Sequence, residues 1–173
     1  MKPKKLNGVT IWRGSLLLFL FLAAYLLFWK NTNRLKKMST KNEIYKTVYS
    51  LLIENGIPFR FAQIITAQAA HETYNFSSRI FIENHNLFGM KLAKIRKTLA
   101  IGERYGHAIF RTLEDSVKDL IIYFTAQGIN KSFIDPDSYI ETLKNKGYFE
   151  ANLQEYQKGT AYFLNIYFGN GEN

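Results

Sequence analysis

The chain has 173 residues, of which 47% are hydrophobic and 21% charged, with no cysteine and a formal net charge of +9. That length accommodates one domain and an appendage, and the absence of thiols excludes disulfides, thiolate metal sites and a lipid anchor on an N-terminal cysteine. The placement of the charge argues against a nucleic-acid partner: residues 1–41 hold nine Lys and Arg and no Asp or Glu, and residues 42–173 hold fourteen basic and fourteen acidic residues.

Residues 1–13 are a basic N-terminal segment carrying Lys2, Lys4, Lys5 and Arg13. The apolar run GSLLLFLFLAAYLLFW, residues 14–29, follows. As a helix rising about 1.5 Å per residue it spans roughly 24 Å, slightly short of a bilayer core of about 30 Å. Trp12 and Trp29 bracket it as interfacial anchors do. The run exceeds a signal-peptide core and no small-x-small site follows, so a transmembrane anchor is expected rather than a cleaved leader. Cations on both sides leave its orientation open. Residues 30–38 read as a basic linker, and residues 39–173 as one domain.

Thr40 and Glu43 match a capping box. Ile44, Val48, Leu51 and Leu52 recur at helical spacing, and Gly56 ends that helix. Pro58 suits the first turn of the next, which contains FAQIITAQAAHE, residues 61–72. Ala62, Ala67, Ala69 and Ala70 keep this helix thin, so neighbours can approach closely; it is expected to be central and buried. Glu72 stands at its end, before the Tyr74-Asn75 turn. The negative end of the helix dipole and partial burial both disfavour an ionised carboxylate there. Such a group holds a proton near neutrality, as a general acid must. The plain alternative is a solvated surface charge.

Phe76 and residues 80–82 are expected to pack on the core, with Glu83 on the surface of a short helix. HNLFGMK, residues 85–91, is an apolar turn around Gly89. Lys91 to Lys97 reads as solvated. TLAIGERYGHAIFR, residues 98–111, alternates around Tyr105-Gly106 and predicts a small hairpin. Three helices follow. Thr112 and Asp115 cap the first, and Gly128 ends it. Asp135 and Pro136 start the second, and Gly147 stops it. Asn152 and Glu155 open the last, to which Tyr156, Phe163 and Tyr167 give apolar surface. His71, His85 and His107 lack zinc-helix spacing, so no metal is expected; no cofactor motif appears. The 16% aromatic content suits a sugar-binding groove or an ordinary core.

AQAAHET followed by NLFGMK resembles the bacterial endo-β-N-acetylglucosaminidases, the flagellar-type peptidoglycan hydrolases of the lysozyme-like superfamily. Their pattern is AQA-x-x-E-S, a polar gap, then N-N-L-F-G-I-K. Thr73 stands for the Ser, His85 for the first Asn and Met90 for the Ile; Asn86, Leu87, Phe88, Gly89 and Lys91 match. The resemblance implies an α+β, mainly helical, lysozyme-like domain and cleavage of the glycan strand. It implies catalytic roles for Glu72, for Glu103 as second carboxylate on the hairpin, and for Tyr148, which orients the substrate acetamide. Asn86, Phe88 and Tyr105 are the implied substrate-binding residues. Glu103 corresponds loosely to the family's T-E-Y hairpin, with Arg104 inserted before Tyr105. Gly147-Tyr148 matches the family's G-Y, but Phe149, Glu150 and Ala151 replace its A-T-D.

The expected reaction is hydrolysis of the β-1,4 bond after N-acetylglucosamine in peptidoglycan. The domain would then lie on the wall side of a bacterial cytoplasmic membrane. An N-acetyl sugar can also attack with its own acetamide oxygen, which relaxes the need for a second carboxylate. A muramidase or lytic transglycosylase on the same fold, and a non-catalytic wall-binding or assembly protein, are the competing readings.

Overall fold

The computed structural model of the protein describes residues 4–6, 9–11 and 13–169. It divides into two units, residues 1–40 and 41–173. In the first, β1 (Lys4–Leu6) and β2 (Val9–Ile11) pair antiparallel, with Lys5 opposite Thr10. Helix α1 begins in this unit and runs Arg13–Glu54.

Two expectations change here. Residues 30–38 are helical, and Thr40 starts nothing, because α1 passes through both. No Gly or Pro interrupts the chain between Ser15 and Asn55, so a capping box inside that stretch meets no break to cap. Among the described residues no helix is long and apolar enough to cross a membrane; within the expected anchor over residues 14–29, the side chains of Gly14 to Phe19, Phe21 and Phe28 lie outside the described residues. The described part of the run does expose Leu20, Leu22, Tyr25, Leu26, Leu27 and Trp29.

The second unit is built around α2 (Phe59–Glu72), with Pro58 at its cap position. The C-terminal turns of α1 bury Val48 and Leu52 beside it. α1 closes on Gly56, whose φ of +81° lets Gly56 N–H reach Ile53 O and Ile57 N–H reach Leu52 O. Phe61 to Ala70 are buried with the exception of Gln63. Ala62, Ala67, Ala69 and Ala70 are all wholly buried. α6 (Leu153–Phe168) lies along α2, and a Cβ at Gly159 on α6 would collide with the His71 ring.

The remaining elements cover the other faces. α3 (Arg79–Asn84) is capped by Ser78, whose hydroxyl accepts from Phe81 N–H. β3 (Gly102–Arg104) and β4 (His107–Ile109) form the expected antiparallel hairpin, with Glu103 opposite Ala108. Tyr105 and Gly106 both have positive φ at its turn, as a two-residue hairpin requires. α4 (Leu113–Gln127), α5 (Pro136–Asn145) and α6 start at Thr112, Asp135 and Asn152, and each of those side chains accepts from the first turn. The domain is therefore mainly helical with one small hairpin, the α+β class expected. Phe61 packs edge-on against Tyr139 at 4.9 Å and near Phe124 at 5.9 Å. Each such buried ring contributes about 1.5–3 kcal/mol of transfer free energy.

Candidate active site

Four segments meet around a cavity of about 470 Å³. The end of α2 supplies Glu72. The NLFGMK turn and the loop after it supply Phe88 to Ala93 and Arg96. α4 supplies Tyr123, and the segment after α5 supplies Lys146 to Glu150.

Glu72 is held at this point by the way α2 ends. Thr73 Oγ1 donates to Ala69 O at 2.6 Å and accepts Phe76 N–H at 3.0 Å. This hydroxyl work is what a Ser would do, so the Ser-to-Thr departure preserves the chemistry. Tyr74, Asn75 and Phe76 then take left-handed φ values of 52°, 57° and 56°. Three consecutive non-glycine residues there cost about 1–2 kcal/mol each. Asn75 N–H to Ala70 O and the Ser77 and Ser78 N–H groups to Thr73 O secure the segment. Strain thus sits immediately beyond the candidate acid.

The Glu72 carboxyl is partly buried. Burial pushes its pKa above the ordinary carboxylate value, and the hydrogen bond from Tyr156 pulls the other way. That hydroxyl, on α6, donates to Glu72 Oε1. Oε2 faces Gly89, whose φ of +60° and missing side chain leave it room.

The turn around Gly89 is organised by Asn86. Its Nδ2 donates to Met90 O at 2.9 Å and Ala108 O at 3.0 Å; its Oδ1 accepts from Phe88 N–H and Met90 N–H. Asn86 is 1% exposed, so it shapes the wall from behind rather than meeting a ligand. Phe88 is similarly buried yet lines the cavity. His85 caps α3 with a φ of 49°, a conformation that the Asn it replaces also tolerates.

Tyr148 reaches the cavity because Gly147, at φ +68°, turns the chain off α5, with Tyr148 N–H bonded to Leu143 O. Its hydroxyl donates to Phe88 O at 2.6 Å. The proton expected to meet a substrate acetamide therefore ties the two walls together.

The structure does not bring every predicted residue here. Glu103 is exposed on β3 and Tyr105 sits at the hairpin turn; neither lines the cavity. Tyr105 instead donates to Glu83 at 2.8 Å, accepts from Arg79 and stacks beneath that guanidinium. The acidic residues that do line the cavity are Glu72 and Glu150. Arg96, read as solvated, makes a two-point ion pair with Asp119 at 2.7 and 3.2 Å, which fastens its loop onto α4. Among the described residues no three His, Cys, Asp or Glu side chains gather as a metal site would need.

Sequence reasoning missed Tyr156, Gln68 and Tyr139 as members of the site. Tyr139 donates to Gln68 Oε1 at 2.6 Å, and Gln68 Nε2 donates to Tyr156 at 3.2 Å. Phe149 stacks flat on Tyr156, with centroids 3.9 Å apart. One clue was available: Gln68 stands one helical turn before Glu72, on the face that carries it.

No curated protein matches the chain significantly. Its fold is similar to that of a chain in the structure of a type VI secretion system effector-immunity complex from Pseudomonas protegens. The TM-score is 0.58 at 19% identity, over 75% of this chain and 92% of that one. A family model described as mannosyl-glycoprotein endo-beta-N-acetylglucosaminidase matches residues 46–166. That span contains Glu72, the Gly89 turn and Tyr148 with the rest of the cavity, and the chain belongs to the Glucosaminidase family.

Proposed function

We propose that the protein is a peptidoglycan hydrolase that cleaves the β-1,4 bond after N-acetylglucosamine, with Glu72 as general acid. The observation that carries this reading is a partly buried carboxyl, shifted toward its protonated form, at an open groove in a Glucosaminidase domain. Protonated Glu72 gives its proton to the bridging oxygen as the C1–O bond breaks. Water then bonds to C1, directly or after the sugar's own acetamide oxygen has held that carbon, and its proton returns to Glu72. Tyr148 and Asn86 act behind this step, fixing the Phe88–Met90 wall. Glu150, in the cavity lining, is better placed than Glu103 to meet a developing positive charge.

The substrate implies a location on the wall side of a bacterial cytoplasmic membrane. The apolar side chains exposed on α1 between Leu20 and Trp29 favour the membrane's outer face. Protease accessibility of the domain in intact spheroplasts tests that placement.

The test of the reaction is digestion of peptidoglycan by the full chain, followed by mass spectrometry of the fragments. Reducing-end N-acetylglucosamine is expected, and Glu72→Gln should release none. Anhydromuramic ends, or reducing-end N-acetylmuramic acid, would replace this bond assignment. Equal wall clearance by Glu72→Gln would remove Glu72 as the acid.

A further inference from the structure

We infer that Tyr139 and Gln68, acting through Tyr156, are positioning residues that fix which oxygen of Glu72 presents the acidic proton to the groove. The inference rests on Glu72 being the general acid. It comes from the direction in which four side chains hand on hydrogen bonds.

The direction is set at the buried end. Tyr139 is wholly buried, and its hydroxyl proton goes to Gln68 Oε1. Reversing the Gln68 amide would aim that proton at an NH₂ group, which accepts nothing. An orphaned buried donor costs about 1–3 kcal/mol. Gln68 is therefore locked with its nitrogen toward Tyr156, to which it donates. Tyr156 must in turn use its own proton elsewhere, and Glu72 Oε1 accepts it. Oε1 is thereby occupied as an acceptor. The acid proton belongs on Oε2, the oxygen beside Gly89.

The sequence supports this economy. α2 can carry a wholly buried amide one turn ahead of Glu72 only because α5 and α6 each bring a tyrosine hydroxyl to it. His71, packed edge-on to Tyr156 at 4.8 Å, and Phe149, stacked on it, leave that ring little freedom. Donation from Tyr156 also lowers the Glu72 pKa against the larger effect of burial. The other charged or titratable groups lining the cavity are Lys91 and Arg96 from the loop after the Gly89 turn, Tyr123 from α4, and Lys146, Tyr148 and Glu150 from the segment after α5. None of them belongs to the relay, so its removal leaves their fields in place.

The test uses the full chain and the pH dependence of kcat on peptidoglycan. A general acid loses activity as pH rises through its pKa. Tyr156→Phe keeps the ring and deletes the donor, so the alkaline limb should move to higher pH while kcat falls about tenfold or more. Tyr139→Phe deletes a hydroxyl that touches neither Glu72 nor the groove. It frees the Gln68 amide to turn its oxygen toward Tyr156 and capture the proton meant for Glu72, so the limb should move the same way. A purely packing role for these tyrosines would lower activity or melting temperature and leave the limb where it was. An unmoved limb in Tyr139→Phe overturns the relay, even if Tyr156→Phe does not fold. Parental activity in Glu72→Gln would instead overturn the assignment of the acid, which separates the two failures.

Discussion

A Cβ on Gly89 would stand 3.0 Å from Oε2 of Glu72. The glycine is therefore required twice, once by its φ of +60° and once by the oxygen it faces. Gly89→Ala should destabilise the domain by about 1–2 kcal/mol from the left-handed backbone alone. Because the new methyl group presses on the acid oxygen, kcat should fall more than the loss of folded protein accounts for. Thermal melts beside initial rates check this; a variant with parental kcat would mean that Oε2 is not the working oxygen.

Glu72→Gln removes the proton donor and should lower kcat by about 10²–10⁴-fold. Its effect on stability has a sign that depends on pH. Burial raises the carboxyl's folded-state pKa. The contribution of Glu72 to stability is thus fully present below its unfolded pKa and is lost as pH rises through its folded one. A neutral amide escapes that loss. Glu72→Gln should accordingly melt higher than the parent at alkaline pH, with the gain shrinking in acid. A gain that grew toward acid would contradict the burial effect.

Asn86 answers two backbone N–H groups and two carbonyls from one buried side chain. Asn86→Ala should cost on the order of 3 kcal/mol, since each orphaned buried group costs about 1–3. The loss should appear in the melting temperature and not as a selective rise in KM. A stable Asn86→Ala protein with a raised KM would restore the direct substrate contact that the resemblance implies.

What the sequence disclosed follows from how far each interaction reaches along the chain. The caps at Thr112, Asp135 and Asn152, the stops at Gly56, Gly128 and Gly147, and the Tyr105-Gly106 hairpin are fixed by neighbours a few residues away, and all were legible. Tyr156 was not. Its spacing marks it as one more apolar position on α6, and its hydroxyl partner lies 84 residues back. The same holds for Arg96, which looks solvated until α4 brings Asp119 to it. The Thr40-Glu43 box misled for a different reason. A cap residue must leave helical backbone, and nothing before Thr40 interrupts α1. The register of Glu103 depended on an inserted residue, and the hairpin places that side chain on an exposed strand.

The two remaining carboxylates can be separated by experiment. Glu103 pairs across the hairpin with Ala108, is exposed, and does not line the groove. Glu150 lines it together with Glu72. Lys144 Nζ bonds Glu150 O and Ala151 O, which steadies the backbone that carries Glu150. An anionic group at the groove favours positive charge developing at the sugar carbon, while one on an exposed strand outside the lining is largely screened. Glu103→Gln should keep kcat within about threefold of the parent and stability within about 0.5 kcal/mol. Glu150→Gln should lower kcat by about tenfold or more if its charge meets the transition state. Parallel rates on one peptidoglycan preparation decide between them. A large loss in Glu103→Gln with none in Glu150→Gln would return the second carboxylate to the hairpin and require the hairpin to close over the bound strand.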